Sequence, residues 1–467
     1  MSAMSRRHFI QGSALFGVTL SAAADAATGP VDDEPVRVDA RGSKPLQAGC
    51  AVRDITPALD TPLWGYTEGV RVAKSVLDPL FAKAIVFGCD GRRVAVVTLD
   101  AGRVPPRAVC ARIRSAAKEQ GVDGVVLMAT HTHSGPVMEV PGMPHEPDME
   151  RAIGECIQEA AANLAPVRLA VGRATIDIAH NRRRIRDGEC YMMWRNAERE
   201  PTSPVDKEAG VIRIGREDGT CLATLVNYAC HPVIFGPDSQ QYSADWPGEM
   251  CRRVKEETGG ACLFLQGACG DINPYMDKTP LADGAVDIMR QEGAKAAEAV
   301  LDLWKQLTPA TEQASSLAFM HERMDSALRW NVEDEAQAAL LKEHYGPAYE
   351  MYLKPFQADP TLPLSALLIN GRLGLAFMPG EVFVRFQQDL KHHSPVADTF
   401  LCGYADEFHA YFPTIKDAVI GGYGGSVATY VEIGAGEKMT ARAALMLAEL
   451  SGAMAPVTAE KLEVREL

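Results

Sequence analysis

Two histidines one residue apart, His131 and His133, end the stretch Met128-Ala129-Thr130-His131-Thr132-His133-Ser134-Gly135-Pro136. Imidazole is a common metal ligand and a common acid or base near neutral pH. Residues two apart in an extended strand face the same side. The pair therefore looks into one cavity if the strand persists, and diverges if the Ser-Gly-Pro turn has begun. A third histidine, His231, stands where the apolar run Leu222–Tyr228 enters Ala229-Cys230-His231-Pro232. Its matching position at a strand end favours a metal site over an isolated hydrogen-bonding ring. Glu381, after Pro379-Gly380, is a helix-dipole partner by default and a hard anionic ligand if histidines are near. The basic run Arg182-Arg183-Arg184 is a solvated turn, or supplies one arginine that binds an anion or oxyanion. In Gly267-Ala268-Cys269-Gly270-Asp271-Ile272-Asn273-Pro274 the glycines permit positive φ and close approach of N–H groups to a ligand. No Gly-Lys-Ser/Thr follows, so this is no phosphate loop.

The elements that must position these groups are legible as periodic segments. Apolar runs predict strands at 82–87, 94–100, 124–127, 211–214, 222–228, 263–266 and 373–378. Helical periodicity predicts helices over 105–120, 148–164, 285–307, 333–353 and 437–450, and one opened by Pro379-Gly380-Glu381 and running to about Lys391. Pro62-Leu63-Trp64-Gly65-Tyr66 is a glycine-hinged aromatic loop. Strands alternate with helices along the chain. No repeat or composition break divides the chain after residue 46.

The chain has 467 residues and a net charge of -14, which opposes binding to nucleic acid or anionic lipid. Eleven cysteines without a Cys-x-x-Cys predict scattered buried thiols. Ser5-Arg6-Arg7-His8-Phe9-Ile10, a short apolar run and Ala24-Asp25-Ala26 are similar to a twin-arginine export signal over 1–26, so the protein is expected in the periplasm or secreted. Residues 27–46 are polar and patternless and predict a linker; 47–467 are expected to form one domain. No integral membrane segment is expected, and nothing in the sequence sets the oligomeric state.

In order, these segments resemble the catalytic N-terminal domain of the neutral/alkaline (non-lysosomal) ceramidases. The resemblance rests on Arg53-Asp54-Ile55-Thr56-Pro57, Gly65-Tyr66, Ala129–Pro136, Asn181-Arg182, Asp206-Lys207, His231-Pro232, Gly270–Pro274, Pro379-Gly380-Glu381 and Tyr411. It implies an α/β fold of mixed sheets covered by helices, with a zinc ion held by His131, His231, Glu381 and Tyr411 and His133 beside it as acid or base. It also implies that Arg182 and Tyr423 bind the scissile amide or its oxyanion, and Asp271 and Asn273 are counted with that catalytic set. The substrate class implied is a ceramide-like N-acyl compound, a small molecule or lipid cleaved at a linear amide. Asn273 replaces the family's serine, which excludes a serine-acyl step and leaves attack by zinc-activated water. The resemblance covers the catalytic domain alone, and no counterpart of the longer ceramidases' carboxy-terminal sandwich domain is expected. A zinc esterase or amidase for a small polar substrate, and a non-catalytic binding protein on the same fold, are the alternatives.

Overall fold

A computed structural model of the protein describes residues 35–66, 71–138, 142–310, 314–331, 333–345, 360–426 and 428–454. The expected export signal, and the linker up to residue 34, lie outside the described residues. Among the described residues the main strands are β1 (Val36–Gly42), β2 (Gln47–Asp54), β3 (Phe81–Cys89), β4 (Arg92–Leu99), β5 (Gly124–Ala129), β6 (Ala165–Thr175), β7 (Glu208–Arg216), β8 (Cys221–Tyr228), β9 (Ala261–Gln266), β10 (Ser315–Asp325), β11 (Thr361–Ile369), β12 (Leu373–Phe377) and β13 (Asp398–Cys402). They form an eight-stranded sheet of order β9-β8-β7-β6-β2-β3-β4-β5 and a five-stranded sheet β1-β10-β11-β12-β13. Both are mixed: β4 with β5, β8 with β9 and β12 with β13 run parallel, and the other neighbours antiparallel.

The main helices are α1 (Arg107–Glu119), α2 (Glu146–Ala162), α3 (Asp245–Thr258), α4 (Ala285–Gln306), α5 (Glu335–Tyr345), α6 (Val384–His393) and α7 (Ala435–Ser451). One apolar cluster lies between the two sheets and includes Val96, Val126, Phe319, Leu367 and Phe400. A second joins the far face of the larger sheet to α1–α4, and a third joins the far face of the smaller sheet to α6 and α7. The architecture is therefore a sandwich of helices, sheet, sheet and helices. Strands buried on both faces are largely apolar, which is why β4 and β8 are dominated by Val, Ala and Leu. Gly124 and Gly210 make room between the sheets. A Cβ there would come within 2.5 Å of the Phe319 ring and 2.3 Å of the Phe400 ring. Each buried phenylalanine contributes roughly 1.5–3 kcal/mol.

The mixed, helix-covered fold is as expected, and two local readings are corrected. Residues 36–42, taken as linker, form edge strand β1 against β10. Val38 and Ala40 alternate inward between exposed charges, a period-2 pattern that Asp39 and Arg41 obscure. Glu381 does not open a helix. Glu381–Val382 pairs in parallel with Tyr411–Phe412, and α6 begins only at Val384 after an extended Phe383. The end of the helix expected over 333–353 lies outside the described residues. The cysteines are unbonded among the described residues, and nine of the eleven are buried. No helix of the described residues is long and apolar enough to cross a membrane.

Candidate active site

Strand ends build the site. β5 and β9 are opposite edges of the larger sheet, yet their carboxyl ends are tied together by the segment after β13. Gly403 N donates to Gln266 O (2.9 Å) and Ala129 N to Tyr404 O (3.1 Å). The buried Gln266 side chain then donates to both Thr130 O (2.9 Å) and Cys230 O (3.1 Å). One amide thus staples the residue before His131 to the residue before His231.

The strand reading of His-x-His gives the right outcome by the wrong geometry. β5 stops at Ala129, and His131 sits at φ +69°, a conformation uncommon for a residue with a side chain. That turn nevertheless brings the rings of His131 and His133 to 5.1 Å, centroid to centroid. His131, His133 and His231 hold ring nitrogens within 4.8 Å of one another.

Hydrogen bonds decide which nitrogens are available. His131 Nδ1 lies 2.6 Å from Gly102 O, and His231 Nδ1 lies 3.0 Å from Ile272 O. A carbonyl can only accept, so each ring spends its one N–H there and presents Nε2 as a lone pair. Both Nε2 atoms face Glu381 Oε2, at 3.6 Å and 3.1 Å. Burial keeps His231 neutral, its pKa lowered to about 4. Burial opposes the Glu381 charge, and it takes positive charge at the His131–His231 position to hold the carboxyl well below its ordinary pKa. Lone pairs facing a carboxylate oxygen repel unless a cation lies between them. His131 Nε2 is buried without a hydrogen-bond partner among the described residues. The donor set fits a divalent cation.

Tyr411 reaches the same place because it is Glu381's partner in the two-residue ladder. Burial, then Glu381, pushes its phenol pKa well above the ordinary value. Arg182 is buried on the far side of Tyr411 and donates to the Tyr411 hydroxyl (3.1 Å), Gly270 O (2.6 Å) and Asn273 Oδ1 (3.0 Å). The rings of Trp194, Tyr411 and Tyr423 surround its guanidinium at 5.2–5.6 Å. Tyr423 is 42% exposed and stands at the outer edge of this aromatic group.

Asn273 and Asp271 are committed elsewhere. Asn273 Nδ2 donates to Asp277 Oδ2 (2.7 Å), so its amide bridges Arg182 and Asp277. Asp271 accepts from Asn181 Nδ2 (2.6 Å) and from Val384 N (2.8 Å), which caps α6. Both order the wall behind Arg182 and Glu381.

His133 differs from the other two histidines. Neither ring nitrogen has a hydrogen-bond partner among the described residues. Burial, with His131 and His231, lowers its pKa well below the ordinary value. The Trp64 and Tyr66 rings lie 4.8 and 5.1 Å from it, and Arg71 Nη2 donates to its carbonyl at 2.7 Å. The aromatic loop of the sequence is thus the wall of His133. Gly65 in that loop has φ +117°, and a Cβ there would sit 2.7 Å from His133 Cβ, Cγ and Nδ1. Gly65→Ala is therefore expected to displace His133, lower stability by about 1–3 kcal/mol and reduce activity while metal content holds. Thermal unfolding, metal analysis and turnover on one preparation check this.

Sequence reasoning missed Gln266, Arg71, Trp194 and Tyr404, which stacks on His131 with centroids 4.0 Å apart. Only a three-dimensional neighbour reveals them; no spacing signals them.

Residues 46–254 match the family described as neutral/alkaline non-lysosomal ceramidase, N-terminal. The chain is similar to the crystal structure of neutral ceramidase from Pseudomonas aeruginosa, with TM-score 0.66 and 18% identity over 88% of this chain and 74% of that one. It is equally similar to a ceramidase complexed with C2, with TM-score 0.66 and 18% identity over 88% of this chain and 75% of that one. At this identity the structural matches show a common fold. The family match thus covers residues 46–254, and the structural likeness extends the common fold over 88% of the chain.

Proposed function

We propose that the protein is a zinc-dependent hydrolase that cleaves the linear amide of an N-acyl compound, ceramide-like substrates first among them. One observation carries the reading: His131 and His231 Nε2 face Glu381 Oε2 at 3.6 and 3.1 Å while both Nδ1 atoms are held by backbone carbonyls, the arrangement of ligands around one cation. His131, His231, Glu381 and Tyr411 would hold zinc, which supplies Lewis-acid polarisation and lowers the pKa of water to ~7 when bound. His133, neutral and unpartnered at both nitrogens, takes a proton from the attacking water and returns it to the leaving nitrogen. Arg182 and Tyr423 donate to the oxygen on which negative charge develops. Asn273 clamps Arg182 in place. The export-type signal supports a periplasmic or secreted enzyme.

Arg182→Met is expected to lower kcat by about 10²–10³-fold, the usual cost of an oxyanion donor. Arg182→Lys, which keeps the charge and loses the fork, falls between it and the natural chain. A substrate panel tests the reading as a whole. Hydrolysis of long N-acyl amides that stops on chelation supports it. Turnover confined to short polar amides or esters moves the substrate to the alternative class, and chelator-insensitive hydrolysis removes the zinc reading.

A further inference from the structure

Between the histidine turn and α2 lies a group of side chains that amide hydrolysis does not use. Met138, Met143, His145 and Met149 line one small cavity against the start of α1, with Glu146 and Glu150 at its margin. The chain folds them together locally. Met149 N donates to His145 O (3.0 Å), so these residues, four apart, share one face of the first turn of α2. Glu146 N donates to Met143 O (2.9 Å), turning Met143 back onto the same end.

His145 shows that this is more than methionine filling a core. Its Nε2 lies 2.9 Å from Val137 O, so Nε2 carries the proton and Nδ1 the lone pair. His145 is 9% exposed, and its Nδ1 is buried with no hydrogen-bond partner among the described residues. Burial lowers its pKa against the opposing effects of the Val137 carbonyl and Glu146, leaving a neutral ring. Thioethers accept weakly and donate nothing, so Met138 (6% exposed) and Met149 (3% exposed) offer that lone pair no proton. A cation would take up that lone pair. Calcium and magnesium require oxygen ligands. Thioether sulfur with imidazole selects a soft cation.

We propose that Met138, Met143, His145 and Met149 form a binding site for a soft monovalent cation of the Cu(I) type, separate from the His131–His231–Glu381 centre. Glu146, beside the imidazole, offsets the added charge.

Silver(I) shares this ligand preference, does not change oxidation state and serves as the probe. It is titrated into the intact chain carrying ¹³C-methyl methionine, with resonances assigned by single Met→Leu variants. Of the 18 methionines, those at 138, 143 and 149 are expected to move together and saturate. Met143→Leu, a volume-conserving change at a half-buried position, is expected to move the midpoint roughly tenfold or more with amide hydrolysis unchanged. His145→Gln gives a loss of the same order. The proposal is overturned if those resonances stay fixed while thiols or other histidines take the silver. It is also overturned if both variants bind as the natural chain does.

Discussion

Replacing His133 with alanine is expected to lower hydrolysis of an N-acyl amide by about 10²–10⁴-fold and to leave the metal content of the purified chain unchanged. The two halves of this result are independent, and the second is the sharper. His133 lies 5.1 Å from His131 and 5.9 Å from His231, centroid to centroid, close enough to count as a third nitrogen ligand. What separates it is its surroundings. His131 and His231 each anchor Nδ1 on a backbone carbonyl, the arrangement that fixes a ligand's tautomer. His133 has no such anchor among the described residues and rests against Trp64 and Tyr66, leaving both nitrogens able to exchange a proton. Turnover and elemental analysis on one preparation separate the roles. Loss of metal along with activity would make His133 a ligand.

Glu381→Gln is expected to weaken metal binding at least 10–100-fold and to remove hydrolysis with it, while the melting temperature holds or rises. The substitution keeps the shape and removes the charge. A glutamine amide can donate an N–H to His231 Nε2, supplying the proton that this lone pair lacks beside a carboxylate. The backbone should not move, because Glu381 N donates to Ala410 O (2.7 Å) and Gly270 N to Val382 O (2.8 Å) irrespective of the side chain. A melting temperature that falls sharply would make Glu381 a structural ion-pair partner of the histidines. Elemental analysis and thermal unfolding at neutral pH decide between the two.

These residues also show where sequence stops being informative. The Gly124–Leu127 run, the β7–β8 hairpin and the helices over 107–119 and 285–306 follow from periodicity, because each buries a face whose pattern is written in consecutive residues. The convergence of His131 on His231 does not. It depends on a positive φ at one histidine, on Gln266 reaching two carbonyls, and on Tyr404 crossing between two sheet edges. The Arg182–Arg184 run has the look of a solvated turn. Arg182 and Arg183 are instead buried, 3% and 5% exposed, because aromatic rings and backbone carbonyls meet them. Asp100, just after β4, accepts from Phe81 N (3.1 Å) and pairs with the buried Lys83 at 3.5 Å. In each case the deciding partner is distant in sequence and has no spacing of its own.

Metal reconstitution tests the central claim most directly. The chain is stripped with chelator, shown to remain folded, and titrated with zinc while amide hydrolysis is followed. The expected result is no activity without metal and full recovery that breaks at one equivalent, with neither seen in Glu381→Gln. Full hydrolysis by the metal-free chain would contradict it.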